Sequence, residues 1–148
     1  MNVLLGPGLN MYRNAEGGRN FEYMGEDPYL SSKLAVSYVK GLQSLGTIAT
    51  IKHFIGNEQE FARHVVDEKI SERALHEIYL PPFKAAIQQG GALAVMTGNN
   101  MVNAYPGAAD KPLSGDVLRK LYGFKGVIMS DWANSIFWPD KLDLELTS

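Results

Sequence analysis

Four short apolar runs, at residues 3–5, 47–54, 92–97 and 126–129, alternate along the chain with stretches of helically spaced apolar positions. The runs show little polar alternation, as expected of strands buried on both faces of a parallel sheet. Asp27-Pro28 predicts a helix start, because an aspartate can cap the first turn and proline suits the first helical position. Leu30, Leu34, Tyr38, Leu42 and Leu45 then recur at helical spacing, and Gly46 supplies a stop. A second helix is expected from near Ser71, using Leu75, Ile78, Tyr79 and Phe83 and ending at Gly90-Gly91. Pro81-Pro82 should kink or split it, since proline lacks the helical donor and clashes with the preceding turn. Gly98-Asn99-Asn100 leads into an expected loop holding Pro106, Gly107 and Pro112, and a short helix follows over 116–122 with Gly123 as its stop.

This rhythm predicts an α/β fold. Strand–helix–strand crossovers are right-handed, so the strands run parallel and all their C-terminal ends fall on one side of the sheet. Arg19, Lys52, His53, Asn99, Asn100 and Asp131 lie at or just after predicted strand ends, on the side where α/β proteins build sites. A closed eight-stranded βα barrel takes about 250 residues. Four strands therefore make about half of such a barrel, or a small open α/β domain. Half a barrel would expose two parallel edges through which chains could associate.

Composition narrows the class. The 148 residues are 45% hydrophobic and 20% charged with a net charge of −2, which fits one globular domain. No basic tract points to nucleic acid or to a membrane surface, and no apolar stretch is long enough to span a bilayer. There is no cysteine, which excludes disulfides and thiolate metal sites and leaves the redox compartment undetermined. The first residues lack the basic start and long apolar region of a signal peptide and pass at once into an apolar run, as expected of an excerpt from a larger protein.

Asp131, between an apolar strand and Trp132, is either the N-cap of a following helix or a carboxylate held beside an aromatic wall and nearby cations. In the second case it could attack an anomeric carbon, as the nucleophile of retaining glycosidases does. Lys52 and His53 are neighbours on a strand, so both serve one pocket only if the backbone bends there. With Arg19 and Arg63 the site then holds three firm cations, able to bind phosphate, carboxylate or sugar hydroxyls. His53, Glu58, Glu60 and His64 lack metal-ligand order and read as a solvated loop. A phosphate-binding enzyme using Arg19 and Lys52 would need a glycine turn leading straight into a helix, whereas Gly6-Pro7-Gly8 opens a long loop.

Several strings are familiar together. Gly17-Gly18-Arg19-Asn20-Phe21-Glu22 with Glu26-Asp27-Pro28 resembles a segment of glycoside hydrolase family 3 β-glucosidases. So do Ile51-Lys52-His53-Phe54 with Asn57, Gln59-Glu60 and Arg63, the helix Ser71-Glu72-Arg73-Ala74-Leu75, and Met129-Ser130-Asp131-Trp132. The resemblance implies a partial (β/α)8-like N-terminal barrel domain, with the second domain that carries the general acid/base absent. It implies Asp131 as catalytic nucleophile and Arg19, Lys52, His53 and Arg63 as ligands of the sugar hydroxyls. It also implies Asn99 and Trp132 at the substrate, the latter as an apolar wall. The implied substrate is a β-glucoside or oligosaccharide, with no cofactor. A periplasmic or secreted setting is typical of the family. Lys52-His53-Phe54-Ile55-Gly56-Asn57 resembles the glucosidase and xylosidase branch rather than the N-acetylhexosaminidases. Three departures stand out. A sugar-binding aspartate upstream of Gly6 is missing, Asn99 stands where many members have tyrosine, and Leu142-Asp143-Leu144-Glu145 arrives early. Without the acid, the chain would hydrolyse weakly or serve only to bind sugar.

Overall fold

The computed structural model describes residues 2–106 and 111–132. The string at residues 142–145 and the divergent stretch at 133–139 lie outside them. A four-stranded parallel sheet forms the centre, in the order β1-β2-β4-β7, built from β1 (Val3–Leu4), β2 (Ile48–Phe54), β4 (Ala94–Thr97) and β7 (Val127–Met129). These are the four apolar runs. Val3 pairs with Ile48, Ile51 with Val95, and Met96 with Met129, so every strand end faces the same way. Val3 and Val127, on the two outer strands, remain exposed.

The first helix, α1 (Pro28–Gln43), begins as its local chemistry dictates: the Leu30 N–H donates to Asp27 Oδ1 at 2.6 Å and Pro28 fills the first position. Asp27→Ala should cost about 1 kcal/mol of stability, measurable as a lower urea midpoint. The leucine stripe that defines α1 is not the face it buries. Ser31, Ala35 and Val39 turn inward, while Leu30, Leu34, Tyr38 and Leu45 stay exposed. Small side chains on the inner face let α1 approach the sheet and α3 (Pro81–Gln88) closely.

Ser71 caps α2 (Glu72–Ala74), its hydroxyl accepting from the Ala74 N–H. Pro81 and Pro82 then split the helix as expected. They have no N–H to offer the carbonyls of Glu77 and Ile78, and the turn over Leu75–Tyr79 widens so that the Leu80 N–H bonds the Leu75 carbonyl at 2.8 Å. Regular geometry resumes in α3, whose Phe83 packs edge-on against Phe54 with ring centres 5.2 Å apart. Ile51, Leu80, Ala86, Val95 and Leu118 complete this core.

Two elements differ from the sequence pattern. Part of the expected loop forms β5 (Met101–Val102) and β6 (Tyr105–Pro106), which make a small sheet with β3 (Asp67–Glu68). The last helix runs over Lys111–Leu121, starting earlier than 116, because Pro112 falls in its first turn, where a missing N–H costs nothing. Among the described residues, no helix is long and apolar enough to cross a membrane.

Candidate active site

At the C-terminal ends of β2, β4 and β7 the polar residues gather. The register of β2 against β4 slips between Ile51 and Phe54, a bend that spans Lys52-His53. The Lys52–His53 peptide is cis. Both side chains reach the strand-end cluster: Lys52 Nζ lies 3.6 Å from Glu22 Oε2, and His53 Nε2 lies 3.9 Å from Asp131 Oδ2.

Asp131 follows β7 and is 5% exposed. Its two oxygens are held separately. Asn99 Nδ2 donates to Oδ2 at 3.0 Å, and the Trp132 backbone N–H donates to Oδ1 at 2.7 Å. Asn99 therefore supplies a neighbouring hydrogen bond at the position where the family resemblance leads one to expect tyrosine. The Trp132 side chain stands beside this carboxylate in the chain and is 75% exposed.

His53 is fixed at its backbone. Asn10 grips it from both sides, Oδ1 accepting from the His53 N–H at 2.8 Å and Nδ2 donating to the His53 carbonyl at 3.0 Å. The imidazole meets the Tyr23 ring edge-on, with Nδ1 3.4 Å from the Tyr23 hydroxyl. Burial, reinforced by the charges of Arg19, Lys52 and Arg63, pushes the His53 pKa down to about 2, so the ring is neutral in ordinary buffers. Burial likewise raises the Tyr23 hydroxyl well above the usual tyrosine range, against the opposing charge of Arg19.

The three cations do not stand free. Arg19 Nη2 is 2.5 Å from Glu22 Oε1 and its Nη1 is 3.7 Å from Glu60 Oε1, while Arg63 Nη1 donates to Glu60 Oε2 at 2.8 Å. Asn57 Nδ2 donates to Glu60 Oε1 at 3.2 Å. The loop after β2 is therefore built into the site, which corrects its reading as a solvated segment. Glu60 bridges two arginines, and Glu58 is buried. Gly18 lets this loop pass close, with φ at +86°, and a Cβ there would sit 3.0 Å from the Glu60 side chain. Gly8 does the same for the Tyr23 ring, 2.8 Å from where its Cβ would lie.

The predicted residues thus form two neighbouring groups, Arg19–Lys52–Arg63 with their glutamates and His53–Asn99–Asp131. Pattern reading missed Glu22, Glu60, Asn10 and Tyr23. A signal existed for two of them, since Glu22 and Glu60 each stand three residues from an arginine partner. No group of three or more acids and imidazoles suited to a metal occurs among the described residues.

A buried carboxylate, a neutral imidazole and paired cations at the C-terminal ends of parallel strands occupy the face on which α/β barrels build their sites. Residues 1–139 match the Glycosyl hydrolase family 3 N terminal domain, and the chain belongs to that family. It is 50% identical over 144 residues to Beta-glucosidase B of Emericella nidulans, covering 97% of this chain and 17% of that protein. Over 130 residues it is 48% identical to Beta-glucosidase BoGH3A of Bacteroides ovatus, covering 88% and 17%. The fold superposes on beta-glucosidase 3B of Thermotoga neapolitana in complex with glucose with a TM-score of 0.87. Identity there is 49%, covering 88% of this chain and 18% of that one. The chain thus spans about a sixth of the length of these relatives, and its sheet is a partial (β/α)8-like barrel.

Proposed function

We propose that this chain forms the sugar-holding and nucleophile part of a retaining β-glucosidase site, with Asp131 as the nucleophile. The observation that carries the reading is the Asp131 carboxylate, buried at a strand end and held by Asn99 and the Trp132 N–H. Its support is the family membership, together with a relative of the same fold that is in complex with glucose.

In the first step a carboxylate oxygen of Asp131 attacks the anomeric carbon, forming a glycosyl ester as the bond to the aglycone oxygen breaks. The departing oxygen takes a proton from a general acid, the role the family resemblance gives to a second domain. In the second step water attacks the anomeric carbon, gives its proton to the same group now acting as base, and displaces the carboxylate to release the sugar. Arg19, Lys52 and Arg63 donate to sugar hydroxyls, sharing those donors with Glu22 and Glu60, and neutral His53 offers or accepts one hydrogen bond. Trp132 presents its exposed indole as an apolar wall for the ring.

A leaving group that needs no protonation isolates this half of the chemistry. Incubation with dinitrophenyl 2-deoxy-2-fluoro-β-glucoside should leave a fluoroglucosyl adduct on the Asp131 peptide, read by mass spectrometry. Calorimetry with glucose should show binding. Binding without an adduct would favour a non-catalytic sugar-binding role, and the absence of both would overturn the reading altogether.

A further inference from the structure

Glu58 plays no part in the chemistry above, yet its burial is unusual for a glutamate. It sits in the loop after β2, is 8% exposed, and faces the Met11 backbone and the Asn10 side chain, which favour its charged form against the larger effect of burial. Its Oε2 atom is buried with no hydrogen-bond partner among the described residues. No lysine or arginine forms a salt bridge with it there. A carboxyl oxygen buried without a partner costs free energy, so its retention calls for an explanation.

Its neighbour is the Asn10 amide, which grips the backbone of His53. An asparagine amide can turn over, exchanging its oxygen and nitrogen, and only one orientation serves both His53 groups. The Asn10 nitrogen carries two hydrogens. One goes to the His53 carbonyl, and a second can be taken by the Glu58 carboxyl, which favours the serving orientation.

We propose that Glu58 is a positioning residue for the sugar site, bracing the Asn10 amide so that Asn10 holds His53 against Asp131. The assignment rests on reading His53 and Asp131 as that site. Burial raises the Glu58 pKa to about 8, with Glu68 adding to the rise and Arg13 opposing it. Near neutral pH the brace is thus mostly a neutral acid, and its ionisation near pH 8 alters the bond to Asn10. Tyr23 and Tyr79 also feel the Glu58 charge, and both are raised by burial.

The test uses the full chain, labelled with 15N histidine, with the His53 ring signals followed by NMR. In Glu58→Ala these signals should move and glucose affinity should fall about tenfold, the scale of one lost buried hydrogen bond. Glu58→Gln, which keeps an acceptor, should restore both. In the unaltered chain the His53 signals should shift as pH crosses 8, whereas in Glu58→Gln they should stay fixed. Glu58→Ala with unchanged His53 signals would overturn the proposal. If Glu58→Ala does not fold, a wild-type His53 spectrum that is flat across pH 8, or one that shifts equally in Glu58→Gln, would overturn it too. Failure of the unaltered chain to bind glucose would reject the sugar site while leaving the spectra to decide the brace.

Discussion

Unfolding by urea should require the most denaturant between about pH 4.5 and 6.5, with the midpoint falling on both sides. Two buried groups set these limbs. His53 titrates near its ordinary 6.5 once unfolded but near 2 when folded. Below 6.5 the unfolded chain therefore binds a proton that the folded chain refuses, and His53 lowers stability as pH falls. Glu58 has the opposite sign, with an ordinary 4.5 unfolded and about 8 folded. Above 4.5 the folded chain holds a proton that the unfolded chain has released, and stability falls as pH rises toward 8. Between 4.5 and 6.5 the two slopes cancel. Outside that window each proton changes stability by about 1.4 kcal/mol per pH unit. Glu68, also raised by burial, acts in the same sense as Glu58. Glu58→Gln should flatten most of the alkaline limb and extend the acid limb up to about pH 6.5, where nothing then opposes the His53 slope. Urea midpoints that climb steadily from pH 4.5 to 8 would contradict this account, as would an undiminished alkaline limb in Glu58→Gln.

The second large effect concerns Asp131. Asp131→Asn should reduce turnover of dinitrophenyl β-glucoside at least about 10³-fold, because an amide is a far poorer nucleophile than a carboxylate. Glucose affinity should change by only a few-fold. The amide keeps the shape, its oxygen can still accept from the Trp132 N–H, and a turn of the Asn99 amide can present an acceptor to the new nitrogen. Asp131→Gly offers a sharper readout. Azide should enter the vacated space, attack the same face of the anomeric carbon, and give α-glucosyl azide. Retention of most of the turnover in Asp131→Asn would remove Asp131 from the nucleophile role.

Much of the framework was legible in the sequence because it is written in local chemistry. The capping aspartate and following proline mark the start of α1, and Ser71 with the Pro81-Pro82 pair marks both the start and the split of the next helix. The four runs became the four strands because each is built mainly of apolar and β-branched residues, even where only two or three of them pair. What stayed hidden depends on packing between distant parts. Two apolar stripes run along α1, and only its approach to the sheet selects the one with small side chains. The strands β3, β5 and β6 are two residues each, too short for any periodicity to show. The strand-end argument put Lys52, His53, Asn99 and Asp131 on one side of the sheet. It had no way to see that Asn10, 43 residues before His53, would hold that histidine in place.

The ion pairs around Arg19 have a consequence for what the cluster attracts. Glu22, Glu60 and Asp131 together balance Arg19, Lys52 and Arg63, so the charge of these six side chains sums to about zero. A nearly balanced patch exerts little long-range pull, and association with it gains little from low ionic strength. A sugar phosphate would meet repulsion from the same glutamates that tie up the guanidinium groups. An uncharged glycoside meets donors and acceptors side by side and disturbs no balance. The discrimination is against charged ligands, and it arises from acids that themselves never need to touch the anomeric carbon.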